Sequence, residues 1–184
     1  MNAIKELKIL NNKEIKEIYE LIENQWGARL KLDFGFLRNP KNRIFVVSKD
    51  ISKIDVSRLR INSVGMYFCE IDKQGIRLSI EGSQIVGQKA TKNVVELSEE
   101  ETKKWFKGED LEINGSYSGF VIVKHKNDYL GTGNYSHSQK FLGKTFVRSY
   151  IHSPIKSPKD FIGSVYKNGK ILNYVGKSRR VNLY

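Results

Sequence analysis

GFVIVKHKNDYLGTGN, residues Gly119 to Asn134, is the stretch on which the fold turns. Phe120, Val121, Ile122 and Val123 form an unbroken apolar run rich in β-branched residues, in Gly119 to His125, the clearest strand of the sequence. Asn127-Asp128 supplies turn chemistry, and Tyr129 to Asn134 resumes a strand-like pattern, so a β-hairpin is predicted. Downstream, Phe141 to Ile151, Phe161 to Tyr166 and Lys170 to Val175 add strand-like pieces, with Asn168-Gly169 read as a tight turn before the last. No helical periodicity appears after Ile113, which argues for a barrel of short strands.

Upstream, Asn93 to Leu97 is a short apolar run, and Ser98 with Glu101 spells a capping box ahead of Trp105 and Phe106. A helix is expected there, stopped by Gly108. Closer to the amino terminus, Ile15, Ile18, Tyr19, Ile22 and Trp26 recur at three-and-four spacing, so an amphipathic helix spans Asn12 to Trp26, capped by Asn11 or Asn12 and ended by Gly27. Strands are expected at Leu30 to Phe36, Arg43 to Ser48, Val64 to Glu70, Ile76 to Ile80 and Gln84 to Val86. The predicted class is α+β: a small N-terminal α/β domain over residues 1–90, then a β-barrel over 91–184.

The chain carries 32 lysines and arginines against 20 acidic residues, a net charge of +12. Such a balance favours an anionic partner, although a lysine-rich source alone also raises it. The surplus is local. From Ile113 onward there are 12 basic residues and 2 acidic ones, whereas Asn93 to Glu112 holds 3 basic and 7 acidic. A single cysteine, Cys69, excludes an intrachain disulfide framework, and no apolar run reaches the roughly 18 residues of a membrane span. With no signal-peptide core either, a cytoplasmic protein is expected.

Groups for catalysis are sparse. His125, His137 and His152 have no metal-ligand spacing, and Glu99 to Glu101 and Glu109 to Glu112 flank a helix where acidic residues serve the dipole and solvent. Cys69, among Met66, Tyr67 and Phe68, reads as a core thiol. Gly131-Thr132-Gly133 lacks the continuation of a phosphate loop. We therefore expect a non-catalytic protein without metal or cofactor. What remains is a basic and aromatic interleaving. Lys124, Lys126, Lys140, Lys144, Arg148, Lys167, Lys170, Lys177, Arg179 and Arg180 are candidate phosphate contacts, and Tyr174 is the first candidate for stacking an unpaired base.

Several segments share order and spelling with one family. RIFVVSKD from Arg43, LRINSVGMYFCEIDKQGIRLS from Leu59 and EGSQIVG from Glu81 are followed by NVVELSEEETKKWFKGEDL from Asn93, the central hairpin, and NGKILNYVGKSRRV from Asn168. Together they resemble the C-terminal extension of RsmF-type rRNA cytosine-5 methyltransferases and the stand-alone archaeal ribosome-biogenesis proteins related to it. The resemblance covers roughly residues 43 to 182. It implies a pre-PUA segment before residue 90 and a PUA-like barrel after it, holding structured rRNA or tRNA in ribosome biogenesis or RNA modification. Asn173, Tyr174, Lys177 and Arg180 match the family's basic ending, while Gly119 and Gly131 match hairpin positions that serve backbone geometry. No methyl-donor domain or Pro-Cys catalytic motif accompanies them, so methyl transfer is not carried over.

Two rivals follow. In one, the N-terminal half docks onto a separate RNA methyltransferase or pre-ribosomal particle, which asks for exposed apolar residues on the Asn12 to Trp26 helix. In the other, an unrecognised hydrolase or transferase, the histidines and carboxylates must converge in space.

Overall fold

The structure is a computed structural model that describes residues 7–53, 64–137 and 168–173. Asn11 accepts from the Glu14 N–H while the Glu14 carboxylate takes the Asn11 N–H, which starts α1 (Asn12–Trp26); Gly27, at φ 67°, ends it. Five antiparallel strands form the first sheet in sequence order: β1 (Lys8–Ile9), β2 (Gly35–Arg38), β3 (Arg43–Val47), β4 (Met66–Asp72) and β5 (Gly75–Leu78). Helix α2 (Ile80–Gly87) follows, capped by Ser79, whose hydroxyl accepts from the Gly82 N–H.

The second sheet is built from β6 (Val94–Glu96), β7 (Leu111–Asn114), β8 (Gly119–His125), β9 (Asp128–His137) and β10 (Asn168–Asn173), in the order β6-β8-β9-β10-β7. Helix α3 (Glu99–Lys107) lies between β6 and β7, with the Ser98 and Glu101 capping box formed and Gly108 in the left-handed region. Strands β8 and β9 make the predicted hairpin, Lys124 opposite Tyr129 and His125 opposite Asp128. Gly119 (φ 61°) and Gly131 (φ 117°) both take conformations that L side chains avoid. β6 pairs with β8 in parallel, a crossover made through α3, β7 and the loop after it.

Alternation along β8 divides the interior. Phe120 and Ile122 join a core with Ile18, Ile22 and Trp26 of α1, Val86 of α2, and Phe36, Ile44, Phe68 and Ile76 of the first sheet. Val121 and Val123 face a second core with Val95, Leu97, Trp105, Leu111, Ile113 and Ile171. The apolar run at the centre of the sequence is thus buried on both faces because each face closes a different cluster.

Several expectations are corrected. The expected barrel is not closed: among the described residues the second sheet is open, with β6 and β7 at its edges. The strand expected at Leu30 to Phe36 starts only at Gly35. Leu30 and Leu32 pack against the first core, and the Leu32 N–H donates to the Tyr19 hydroxyl (3.1 Å), so their alternation serves packing and not a ladder. Gln84 to Val86 is helical, within α2. Gly82 and Gly87, both in α2, sit where an added Cβ would strike the Phe68 carbonyl and the Tyr129 ring. Asn168 and Gly169 are ladder residues of β10, opposite Asn114 and Ile113. Phe141 to Ile151 and Phe161 to Tyr166 lie outside the described residues.

Candidate nucleic-acid interface

Two of the candidate cations occupy the hairpin end. Lys124, on β8, bonds the Glu96 carboxylate of β6 at 2.7 Å. That bond holds the lysine ammonium charged above its ordinary range and draws the Glu96 carboxyl below the usual carboxylate range. Lys126 is exposed at the hairpin turn, with φ 52°. A lysine in the left-handed region is strained, because its Cβ crowds the following carbonyl.

Lys170 and Asn173 lie on β10. Lys170 stands in register with Ser136 and Glu112, and Asn173 with Gly133. Lys140, Lys144, Arg148, Lys167, Tyr174, Lys177, Arg179 and Arg180 lie outside the described residues.

A cleft of about 720 Å³ runs where the two halves of the chain meet. Its lining includes Gln25 at the end of α1, Lys92 just before β6, Glu96, Lys124, Tyr117 and Tyr129. The walls are fixed by side-chain amides. Gln25 donates to the Ser118 and Phe120 carbonyls, both at 2.8 Å, and Asn93 donates to the Gln25 carbonyl at 2.8 Å. Asn93 reaches this position with φ 52°. Tyr117 leans edge-on against Tyr135, their ring centres 5.4 Å apart.

Sequence reading missed Lys92, Tyr117 and this cleft. The only local hint is the basic segment Lys89-Ala90-Thr91-Lys92 ahead of β6; the rest needs residues some 90 positions apart to meet.

The other chemistry-bearing groups do not converge here. Cys69 is buried, and burial pushes its thiol up, which keeps it protonated and unreactive. The His125 Nδ1 lies 2.8 Å from the Leu97 carbonyl. The His137 backbone is in β9, and His152 lies outside the described residues. Among the described residues no three His, Cys, Asp or Glu side chains are grouped to hold a metal ion.

Residues 92–140, which contain β6, α3, β7, β8 and β9, match the family model described as the methyltransferase RsmF PUA domain. This part of the chain is PUA-like. Relatives with the name ribosomal RNA small subunit methyltransferase F agree with the match. That of Aeromonas salmonicida (strain A449) is 32% identical over 79 residues, covering 42% of this chain and 17% of the relative. The protein of Vibrio atlanticus (strain LGP32) is 28% identical over 81 residues, 44% of this chain and 17% of its own length. For Vibrio campbellii (strain ATCC BAA-1116) the identity is 23% over 137 residues, 68% of this chain and 27% of the relative. The chain thus spans 17 to 27% of the length of these relatives. All three are bacterial, so the archaeal kinship expected from the sequence rests on the resemblance alone. The cleft lies along β6, at the edge of the PUA-like part. Among the described residues no helix is long and apolar enough to cross a membrane.

Proposed function

We propose that this chain is a non-catalytic RNA-binding protein, acting on structured rRNA or tRNA in the cytoplasm during ribosome biogenesis or RNA modification. The observation that carries this reading is the PUA-like match over residues 92–140, beside the basic surplus of the stretch from Ile113 onward. On this reading residues 1–90 are a pre-PUA domain and 91–184 the RNA-binding one. Lys124, Lys126, Lys140, Lys144, Arg148, Lys167, Lys170, Lys177, Arg179 and Arg180 meet phosphates, Asn173 adds a polar contact, and Tyr174 stacks a base.

The docking alternative asked for exposed apolar residues on α1. That helix instead buries Ile18, Ile22 and Trp26 completely and half-buries Ile15 and Tyr19, so it offers no such face. RNA binding is the reading the geometry favours.

The deciding experiment is ultraviolet crosslinking of the native protein in its own cells, followed by sequencing of the attached RNA. Discrete rRNA or tRNA sites are expected; no enrichment over background would sink the proposal. In vitro, Lys177→Ala/Arg179→Ala should weaken binding and flatten the salt dependence by about 0.7 to 0.9 per lost phosphate contact. Unchanged affinity would move the RNA away from the basic ending.

A further inference from the structure

The cleft runs along a strand edge. β6 is an edge strand, and its parallel pairing is set by the Ile122 N–H donating to the Asn93 carbonyl (2.9 Å) and the Leu97 N–H to the Lys124 carbonyl (2.8 Å). Asn93, Val95 and Leu97 therefore direct their backbone groups toward β8. By alternation, the N–H and C=O of Val94 and Glu96 turn the other way, and both residues line the cleft. No strand pairs on that side among the described residues.

Around this edge stand two kinds of side chain. Lys92 and Lys124 bring positive charge, with Lys89 exposed just before them, against the single carboxylate of Glu96. Tyr117 and Tyr129, each half-buried, flank the cleft. Tyr117 leans on Tyr135, the partner of Gly119, and Tyr129 pairs with Lys124, so the two tyrosines stand toward opposite ends of the β8-β9 ladder.

We propose that the cleft is a second RNA site that takes a short unpaired run: bases stack at Tyr117 and Tyr129, the Val94 and Glu96 backbone meets base edges, and Lys92 and Lys124 meet phosphates. This rests on the RNA-binding reading and gives it a subsite for single strands. A phosphate would replace Glu96 as the partner of Lys124. Addition of a peptide strand is the poorer fit, because β6 presents only Val94 and Glu96 outward and a strand bound that way draws its affinity from a longer ladder. Aromatic rings and lysines at the margins suit stacked bases and phosphates.

The test uses the full chain and a short mixed-sequence single-stranded RNA carrying 4-thiouridine, with affinity read by anisotropy and crosslinked peptides by mass spectrometry. Crosslinks at Tyr117 or Tyr129 are expected, with a loss of about tenfold in Tyr117→Ala, the scale of one stacked base. Lys92→Glu should weaken binding as well, and it leaves the fold untouched because Lys92 is exposed. Crosslinks confined to residues beyond 137, with both variants binding as the parent does, would overturn the cleft site while leaving RNA binding intact. Failure of the full chain to bind either this RNA or total cellular RNA would overturn both readings. Capture of an extended peptide by a cleft that ignores the RNA would also reject the proposal.

Discussion

Lys126 shows most directly how a single position can be held against its own preference. Its φ of 52° costs an L residue about 1 to 2 kcal/mol, and glycine, which bears its own entropic cost, recovers part of that. Lys126→Gly should therefore raise stability by about 0.5 to 1 kcal/mol in urea denaturation while weakening RNA binding; a variant both less stable and equally tight would reject the assignment. The two tryptophans differ in a comparable way. Trp105 donates its indole N–H to the Leu130 carbonyl at 3.2 Å, whereas the Trp26 indole N–H is buried with no protein partner among the described residues. Replacement by phenylalanine should cost about 1 kcal/mol more at Trp105 than at Trp26, because only there is a buried carbonyl left unpaired. Tyr67 carries the pH prediction. Burial raises its phenol from 10 to about 12, so the folded state holds that proton more tightly than the unfolded chain does. Its contribution is complete below pH 10 and lost as pH climbs toward 12. Parent and Tyr67→Phe should then differ in how their urea midpoints fall across that window, the variant falling less.

Among the elements, those built on local rules were legible in the sequence. α1 announces itself through its apolar spacing and terminal glycine, α3 through its capping box and terminal glycine, and the β8-β9 hairpin through its turn and apolar run. Asn11→Ala should remove about 1 kcal/mol, read by thermal denaturation, since it deletes the side-chain half of the cap. The elements misread are those whose residues answer to distant neighbours. α2 contains two glycines that look like strand breaks, yet Gly82 is small because the Phe68 carbonyl passes against it. β7 was missed although its burial alternates cleanly, with Leu111 and Ile113 inward and Glu112 and Asn114 outward; the acidic residues drew the reading toward a helix exit. The parallel partnership of β6 and β8, and with it the cleft, was out of reach because no local pattern encodes it. The candidate cations beyond residue 137 were found by their interleaving with aromatics and by the family resemblance, and neither assigns a place in space.

For the whole molecule, the decisive feature is that the first sheet does not own its core. Phe120 and Ile122 of the PUA-like part complete the cluster of the first sheet, and Thr132 donates to the Leu78 carbonyl (2.9 Å) across the same junction. The chain should unfold in one cooperative transition, and Phe120→Ala should cost about 3 to 5 kcal/mol while shifting probes in both halves together. Two resolved calorimetric transitions would contradict this. The order of strands also bears on how the protein is made. β7 leaves the ribosome early, but the strand it pairs with, β10, begins 54 residues after β7 ends. At roughly 5 to 20 residues per second, that is a delay of about 3 to 10 seconds. During it, the nascent chain presents a strand edge with no ladder to join, so the far side of the second sheet is the last part of the molecule to be finished and the part most exposed to mispairing during synthesis.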